Sequence, residues 1–277
     1  MNEKIKKQLK EYTAKSQVYI TDSGDLAIYG ALFIAKNKGY THLFIPDQGG
    51  WLNYKKFGKQ LGFEIIVVAT NAGIINTEEL SEKAKQYPNS VLLCTSLAGY
   101  YIEQSLAEIN NAVKKNKLFW ILDCNNLSES SNKEINPDII AASFGKWKIV
   151  NNYHGGCIAS NEIFEKELEE IKEKIQPTNL DEDKLLDNLK KAKSRLEFLK
   201  KRCKEIITDL NKQNIEVYNK DNKGIVVICK VKDRINDNNI NVIKQYCKEH
   251  ELEFTICPRE IRVLESAVCI EVKKLEG

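Results

Sequence analysis

A chain of 277 residues is long enough for a sizeable core and for one large domain with a smaller appendage. Its hydrophobic fraction of 42% and charged fraction of 29% are those of a soluble globular protein. The net charge of +3, set against 42 basic and 39 acidic side chains, gives no reason to expect nucleic acid or an anionic membrane as a partner. No apolar run approaches the roughly 18 residues of a membrane span, and the charged stretch MNEKIKKQLKEYTAK holds no apolar signal core, so a cytoplasmic location is expected.

From residue 17 to 160 the pattern alternates. VYIT reads as a strand and GDLAIYGALFIAKNKG as an apolar-faced helix; THLFIP is a strand and WLNYKKFGKQLG a helix that opens on Trp51. FEIIVVA is a strand, followed by the helix TEELSEKAKQY with Thr77 as its N-cap. SVLLCTS is a strand, QSLAEINNAVKKN a helix, and KLFWILDC, DIIAASF and GCIAS are three further strands. Continuous apolar strands alternating with amphipathic helices imply a mainly parallel α/β sheet covered on both faces, of seven strands. Ligands of such sheets bind beyond the carboxyl ends of the strands.

Residues 161–213 carry two helical stretches, NEIFEKELEEIKEKI and a long one from DKLLDNLKK to TDLNK, separated by Pro177. The basic run from Lys190 to Lys204 reads as a solvated helix face rather than a polyanion site. From about residue 214 the order becomes strand (IEVYN), strand (GIVVICKV), helix, strand (EFTICP), strand (SAVCIEVKK), a small α+β domain. The chain thus divides into a large α/β domain (1–160), connecting helices (161–213) and a small C-terminal domain (214–277). Eight cysteines, none in CxxC spacing and most in apolar runs, read as reduced buried thiols. The three histidines, His42, His154 and His250, lie far apart and suggest no zinc site.

Four signals fall where strands end. Asp123 closes the strand KLFWILD, the place of a ligand-facing carboxylate, although a turn cap would explain it too. SFGKWK offers Lys146 and Lys148, either of which could be a surface lysine or, near a pocket, an amine nucleophile toward an aldehyde. Ser23 and Gly24 start a helix, where free N–H groups and the dipole favour an anion or where Ser23 is a plain N-cap. Trp51 could stack on a planar ligand or pack in the core. Their order matches the binding of pyridoxal phosphate: helix start for the phosphate, aromatic ring for stacking, aspartate for the pyridine nitrogen, lysine for the aldehyde.

Residues 21–160 resemble the fold-type I pyridoxal-phosphate (PLP) enzymes, closest to the DegT/StrS-like sugar aminotransferases. In that family the Schiff-base lysine follows the serine of an SF motif by five residues, and a glycine pair begins seven residues later. Ser143, Lys148 and Gly155 keep both spacings. Lys146, three after Ser143, is nearer the spacing of the cysteine-desulfurase-like enzymes, but Gly145 stands where those have His. The resemblance therefore selects Lys148. It further assigns Asp123 to the pyridine nitrogen, Asn126 to the ring hydroxyl, Trp51 to stacking, and Ser23, Gly24 and Ser143 to the phosphate. Asp25 stands where the family has Thr or Ser, which puts a carboxylate beside a phosphate unless it is paired. The chain is also about a hundred residues shorter than typical members. Arg259 and Arg262, near a C-terminal strand, are candidates for a substrate carboxylate, or equally for surface salt bridges.

The resemblance implies an aminotransferase moving an amino group from a small donor to a keto acceptor such as a keto sugar, working as a homodimer. The alternatives are a PLP-dependent lyase or cysteine desulfurase, and a degenerate member serving as a binding subunit. No residue pattern names the donor or acceptor.

Overall fold

The computed structural model describes residues 3–125, 127, 135–218, 223–232 and 238–276. In chain order the elements are α1 (Glu3–Thr13), β1 (Gln17–Thr21), α2 (Gly24–Asn37), β2 (His42–Pro46), α3 (Asn53–Gln60), β3 (Glu64–Val68), β4 (Thr70–Asn71), β5 (Ile74–Ile75), α4 (Thr77–Gln86), β6 (Ser90–Thr95), β7 (Leu97–Ala98) and β8 (Ile102–Glu103). They continue with α5 (Leu106–Asn116), β9 (Phe119–Asp123), β10 (Ile139–Ser143), β11 (Gly156–Ser160), α6 (Glu165–Glu170), α7 (Lys172–Ile175), α8 (Glu182–Lys212), β12 (Val227–Lys230), α9 (Asn238–Glu249), β13 (Phe254–Cys257) and β14 (Ala267–Ile270).

Seven strands form one sheet in the order β1-β11-β10-β9-β6-β2-β3, parallel except for β11, which runs against both of its neighbours. Alternate residues of each strand feed opposite cores, which is why the strands read as unbroken apolar runs. Leu43, Val91, Leu93, Phe119 and Ile121 pack under α2 and α3, whereas Phe44, Leu92, Cys94, Trp120 and Leu122 pack with α4 and α5. A third cluster joins Ile140, Ala142, Cys157 and Ala159 of the sheet to Ile5 and Leu9 of α1, the inner stripe of α8 and the second sheet, β12-β14-β13.

Because β11 is reversed between β1 and β10, the carboxyl ends of β1, β2, β6, β9 and β10 all lie at one end of the sheet. The register sets Gly156 beside both Thr21 and Ser143. A Cβ on Gly24 would stand 2.3 Å from Ser143 Cβ, and one on Gly156 would stand 2.7 Å from backbone atoms of Ser23 and Ala142. Glycine at these two places lets the start of α2 press onto the ends of β10 and β11.

Several local expectations are corrected. Asn76, not Thr77, caps α4, its side chain accepting from Glu78 N and Glu79 N at 3.1 and 3.0 Å. Trp51 precedes α3, which begins at Asn53. The helix expected before Pro177 breaks at Ile171 into α6 and α7. Of IEVYN, the described residues 215–218 form no ladder strand and make one bridge, Val217 to Cys229, and Asn219 lies outside the described residues. The last strand stops at Ile270, and Val272–Lys274 turns into a 3-10 helix closed by Lys274 N to Glu271 O at 2.9 Å. α1 and the two short ribbons β4-β5 and β7-β8 were not foreseen.

All eight cysteines are buried, and none is in a disulfide. Among the described residues no helix is long and apolar enough to cross a membrane, and no group of His, Cys, Asp and Glu is arranged to hold a metal.

Candidate active site

The strand ends deliver side chains from five loops to one place. Asp123 closes β9, and one of its oxygens accepts from the hydroxyl of Tyr54 on α3 at 2.6 Å. Burial raises the Asp123 carboxyl above the ordinary carboxylate range, and Asp25 adds to this, while Lys148 and the Tyr54 hydrogen bond work against it. The other carboxylate oxygen accepts no hydrogen bond from a described residue.

Lys148 lies on the loop after β10, where Trp147 takes a positive φ of 63° and Lys148 N closes a turn onto Gly145 O at 3.3 Å. Its ammonium donates to the hydroxyl of Tyr100 and lies 4.9 Å from that ring's centre and 5.8 Å from the centre of Trp51. Burial pulls the Lys148 amine down, but Tyr100 and Asp123 outweigh it, and the group sits above the ordinary lysine range. Asp123 and Lys148 thus feel each other's charge without forming a direct ion pair. Lys146 is exposed, its ammonium 4.5 Å over the Trp147 ring.

Ser23 caps α2, its hydroxyl accepting from Leu26 N at 3.3 Å, and Ser143 Oγ accepts from Gly145 N at 3.2 Å. The N–H groups of Gly24 and Asp25 head the helix, where no intrahelical carbonyl can reach them. The Asp25 carboxylate is paired: it accepts from Trp51 Nε1 at 2.6 Å and from Asn53 Nδ2 at 2.8 Å. This both holds the indole edge and answers the unfavourable charge that the sequence placed here.

The structure therefore brings together Ser23, Gly24, Trp51, Asp123, Ser143 and Lys148. Asn126 lies outside the described residues. Arg259 is exposed, in a turn with Arg262 and Val263. Arg262 is buried and does face the site, 5.0 Å from the Tyr100 ring, but its outer fork is taken: Nη2 donates to both Glu271 oxygens at 3.1 and 2.8 Å. A free bidentate clamp for a substrate carboxylate is therefore not available on Arg262.

The chain has the fold-type I architecture. A serine palmitoyltransferase from Sphingomonas wittichii superposes with a TM-score of 0.76 at 13% identity, covering 97% of this chain and 69% of that one. A Streptococcus pneumoniae protein described as a sugar aminotransferase, solved in its PMP form, matches with a TM-score of 0.71 at 13% identity over 99% of this chain and 86% of its own. A sphingosine-1-phosphate lyase from Burkholderia pseudomallei matches with a TM-score of 0.67 at 10% identity, covering 97% and 68%. At such identities the likeness carries the fold, and the three neighbours differ in reaction. The model of the MJ1341 family C-terminal domain matches residues 186–277, a third of the chain. No curated protein sequence matches.

Three residues of the site escaped the sequence. Tyr54 is recognisable only once α3 packs on the sheet, and Tyr100 only once the β7-β8 ribbon turns it inward at a φ of 66°. Lys273, 8% exposed, has its ammonium 4.1 Å from the Tyr100 ring centre. It sits in a terminal VKK that reads as an ordinary polar end. Only its spacing from the buried run AVCI could have hinted at it.

Proposed function

We propose that this chain is a PLP-dependent enzyme with Lys148 as its catalytic lysine, and that it acts as an aminotransferase on a small amino donor and a keto acceptor such as a keto sugar. One observation carries the reading. At the carboxyl end of the sheet Asp123 and Lys148 feel each other's charge, Lys148 lies beside Trp51, and one Asp123 oxygen has no donor among the described residues. A desolvated carboxylate with an unused oxygen fits a protonated ring nitrogen, the cation that would offset its burial. Bound pyridoxal phosphate would supply an aldehyde for an amine and a ring that takes up the electron pair left when a proton leaves an amino acid.

The chain's own residues then divide the work. Asp123, oriented by Tyr54, holds the ring nitrogen. Trp51, its indole edge fixed by Asp25, covers one face. Ser23, Gly24 and Ser143, with the N–H groups heading α2, hold the phosphate. Lys148 would supply the amine that meets the aldehyde and would carry the proton to and from the donor's Cα. Tyr100 steadies the Lys148 ammonium. The buried state of every cysteine leaves no mobile thiol to accept sulfur, which disfavours a desulfurase. The assembly proposed is a twofold homodimer in the cytoplasm.

The test is visible absorbance of the protein with added pyridoxal phosphate, beside Lys148→Ala and Lys146→Ala. The expected result is a borohydride-reducible band lost only in Lys148→Ala, and bleached by an amino donor with formation of the pyridoxamine form. A band that persists in Lys148→Ala removes the lysine assignment. A wild type without any band removes the cofactor and makes this a binding protein.

A further inference from the structure

Lys148 follows a residue whose backbone is unusual for its size. Lys148 N donates to Gly145 O at 3.3 Å, so residues 145–148 make a four-residue turn, and its third residue, Trp147, has a φ of 63°. A turn with a positive φ at that position ordinarily holds glycine or asparagine there, and a bulky side chain in the left-handed region is strained. Such strain persists only where the surroundings fix it, and it gathers at functional sites. Here the surroundings are tethers on backbone and ring alike. The Trp147 N–H donates to Asn151 Oδ1 at 2.8 Å, and Asn188 of α8 donates to Asn151 O at 3.3 Å. The indole is partly buried, with the Lys146 ammonium 4.5 Å and the Lys274 ammonium 4.4 Å from a ring centre. Lys274 belongs to the 3-10 turn Val272–Lys274 and pairs with Glu253, just ahead of β13. The carbonyl of Lys148 itself accepts from Arg195 Nε at 3.2 Å.

We propose that Trp147 is a positioning residue for Lys148: an indole held by Lys274 of the C-terminal turn keeps the backbone left-handed, and that backbone aims the lysine amine at the Tyr100 hydroxyl. This rests on reading Lys148 as the catalytic lysine. A return of residue 147 to an ordinary negative φ re-aims the Cα–Cβ bond of Lys148, and the four-carbon side chain enlarges that error at Nζ. The two lysines of the turn thereby part in role, Lys146 lying over the indole at the surface and Lys148 reaching inward to Tyr100. The charged and titratable groups facing Lys148 are Tyr100 from the β7-β8 ribbon, Asp123 of β9, and Arg262 and Lys273 from the C-terminal segment. Burial lowers the Lys148 amine, and Arg262 adds to this, but Tyr100 and Asp123 together leave it above the ordinary lysine range. An amine aimed away from Tyr100 loses the larger of these supports, so its titration moves down.

The test compares Trp147→Ala, Trp147→Gly, Trp147→Phe and Lys274→Met with the wild-type full chain, circular dichroism checking that each folds. Two quantities are read: the affinity for pyridoxal phosphate, from titration of the visible band, and the pH profile of Lys148 acetylation by acetic anhydride in the cofactor-free protein, from peptide masses. Trp147→Ala is expected to lose at least about tenfold in affinity, the effect of a misplaced reacting group. Trp147→Gly should bind more tightly than Trp147→Ala, because glycine enters the left-handed turn without a ring to hold it. Trp147→Phe keeps a ring for the ammonium groups and should restore wild-type behaviour. Lys274→Met, which leaves the turn's own residues in place, should lose about two- to fivefold, the worth of one ammonium on a ring. The acetylation midpoint of Lys148 should move down in Trp147→Ala and stay in Trp147→Phe; mere loosening would raise the rate at every pH without moving the midpoint. Wild-type affinity in Trp147→Ala, or Trp147→Gly weaker than Trp147→Ala, overturns the proposal, and wild-type affinity in Lys274→Met overturns the part given to the C-terminal turn. A wild type without a band, in which Trp147→Ala still displaces the Lys148 midpoint, removes the cofactor and keeps the positioning. A band in the wild type with midpoint and affinity unchanged in Trp147→Ala removes the positioning and keeps the cofactor.

Discussion

Tyr54 shows how one hydroxyl sets the chemistry of a neighbour. It is buried, it donates to Asp123 at 2.6 Å, and this donation holds the carboxyl lower than burial alone would leave it. Hydrogen bonds to charged groups contribute about 1.5–3 kcal/mol. In Tyr54→Phe the Asp123 carboxyl moves further up, so as pH falls the carboxylate is protonated earlier, and the hold proposed for it on a ring nitrogen would be lost at a higher pH. An absorbance titration of the cofactor-loaded variant should show that midpoint displaced upward; an unchanged midpoint would mean that Tyr54 only fills space. Asp25 teaches a related lesson. The sequence marks it as a carboxylate in the wrong place, but Trp51 and Asn53 both donate to it, so it positions the indole instead of facing an anion alone.

At the scale of elements, α8 is the strut. Its lysines at 190, 191, 193, 201 and 204 point outward, as expected of a solvated face, but Arg195 does not. It occupies the inner stripe with Ala192, Leu196 and Leu199, at the i, i+3, i+4, i+7 positions that pack on the core. From there it donates to Lys148 O at 3.2 Å, Leu275 O at 3.1 Å and Lys273 O at 3.1 Å. One guanidinium thus fastens the lysine loop to the C-terminal turn, and explains why VKK curls into a 3-10 helix instead of extending β14. Arg195→Met keeps the apolar stem and removes three donors, at a cost of about 2–4 kcal/mol. Calorimetric melting should fall by roughly 5–15 °C, with slower formation of the cofactor band as the Lys148 loop loosens. A melting point within a degree of wild type would show that water replaces the arginine without loss.

Across the whole molecule, one apolar cluster runs from α1 through β10 and β11 to α8 and the small sheet, spanning the three parts that composition separates. The C-terminal turn is therefore packed into the same body as the strand ends, which is how Lys273 comes to be buried beside them. Its folded amine titrates near 7 against 10.5 when unfolded, so between these values the unfolded chain binds more protons. Stability from this group accordingly rises with pH above 7, and below 7 the chain carries the full cost of a buried ammonium. Replacing Lys273 with Met removes that cost. The melting temperature should rise by several degrees near about pH 6 and by much less near about pH 10. A shift of equal size at both would mean that the ammonium is solvated.

Strand and helix alternation was legible because each parallel strand is buried on both faces and each helix on one, and burial writes itself into residue type every two or every three to four positions. The residues that follow strands, Ser23, Gly24, Trp51, Asp123, Ser143 and Lys148, were legible for the same reason: a parallel sheet gathers its carboxyl ends, so position along the chain implies position in space. Other features were decided only by the tertiary structure. The choice of Asn76 over Thr77 depends on which side chain reaches the helix N–H groups. The capture of Arg262 by Glu271 needs the turn before β14 folded back on the strand's end. Tyr54, Tyr100, Arg195 and Lys273 face the site because of how a helix rotates on the sheet, how a ribbon turns, and where the last residues pack. These are long-range contacts, and no local pattern of residue types encodes the partner on the far side of such a contact.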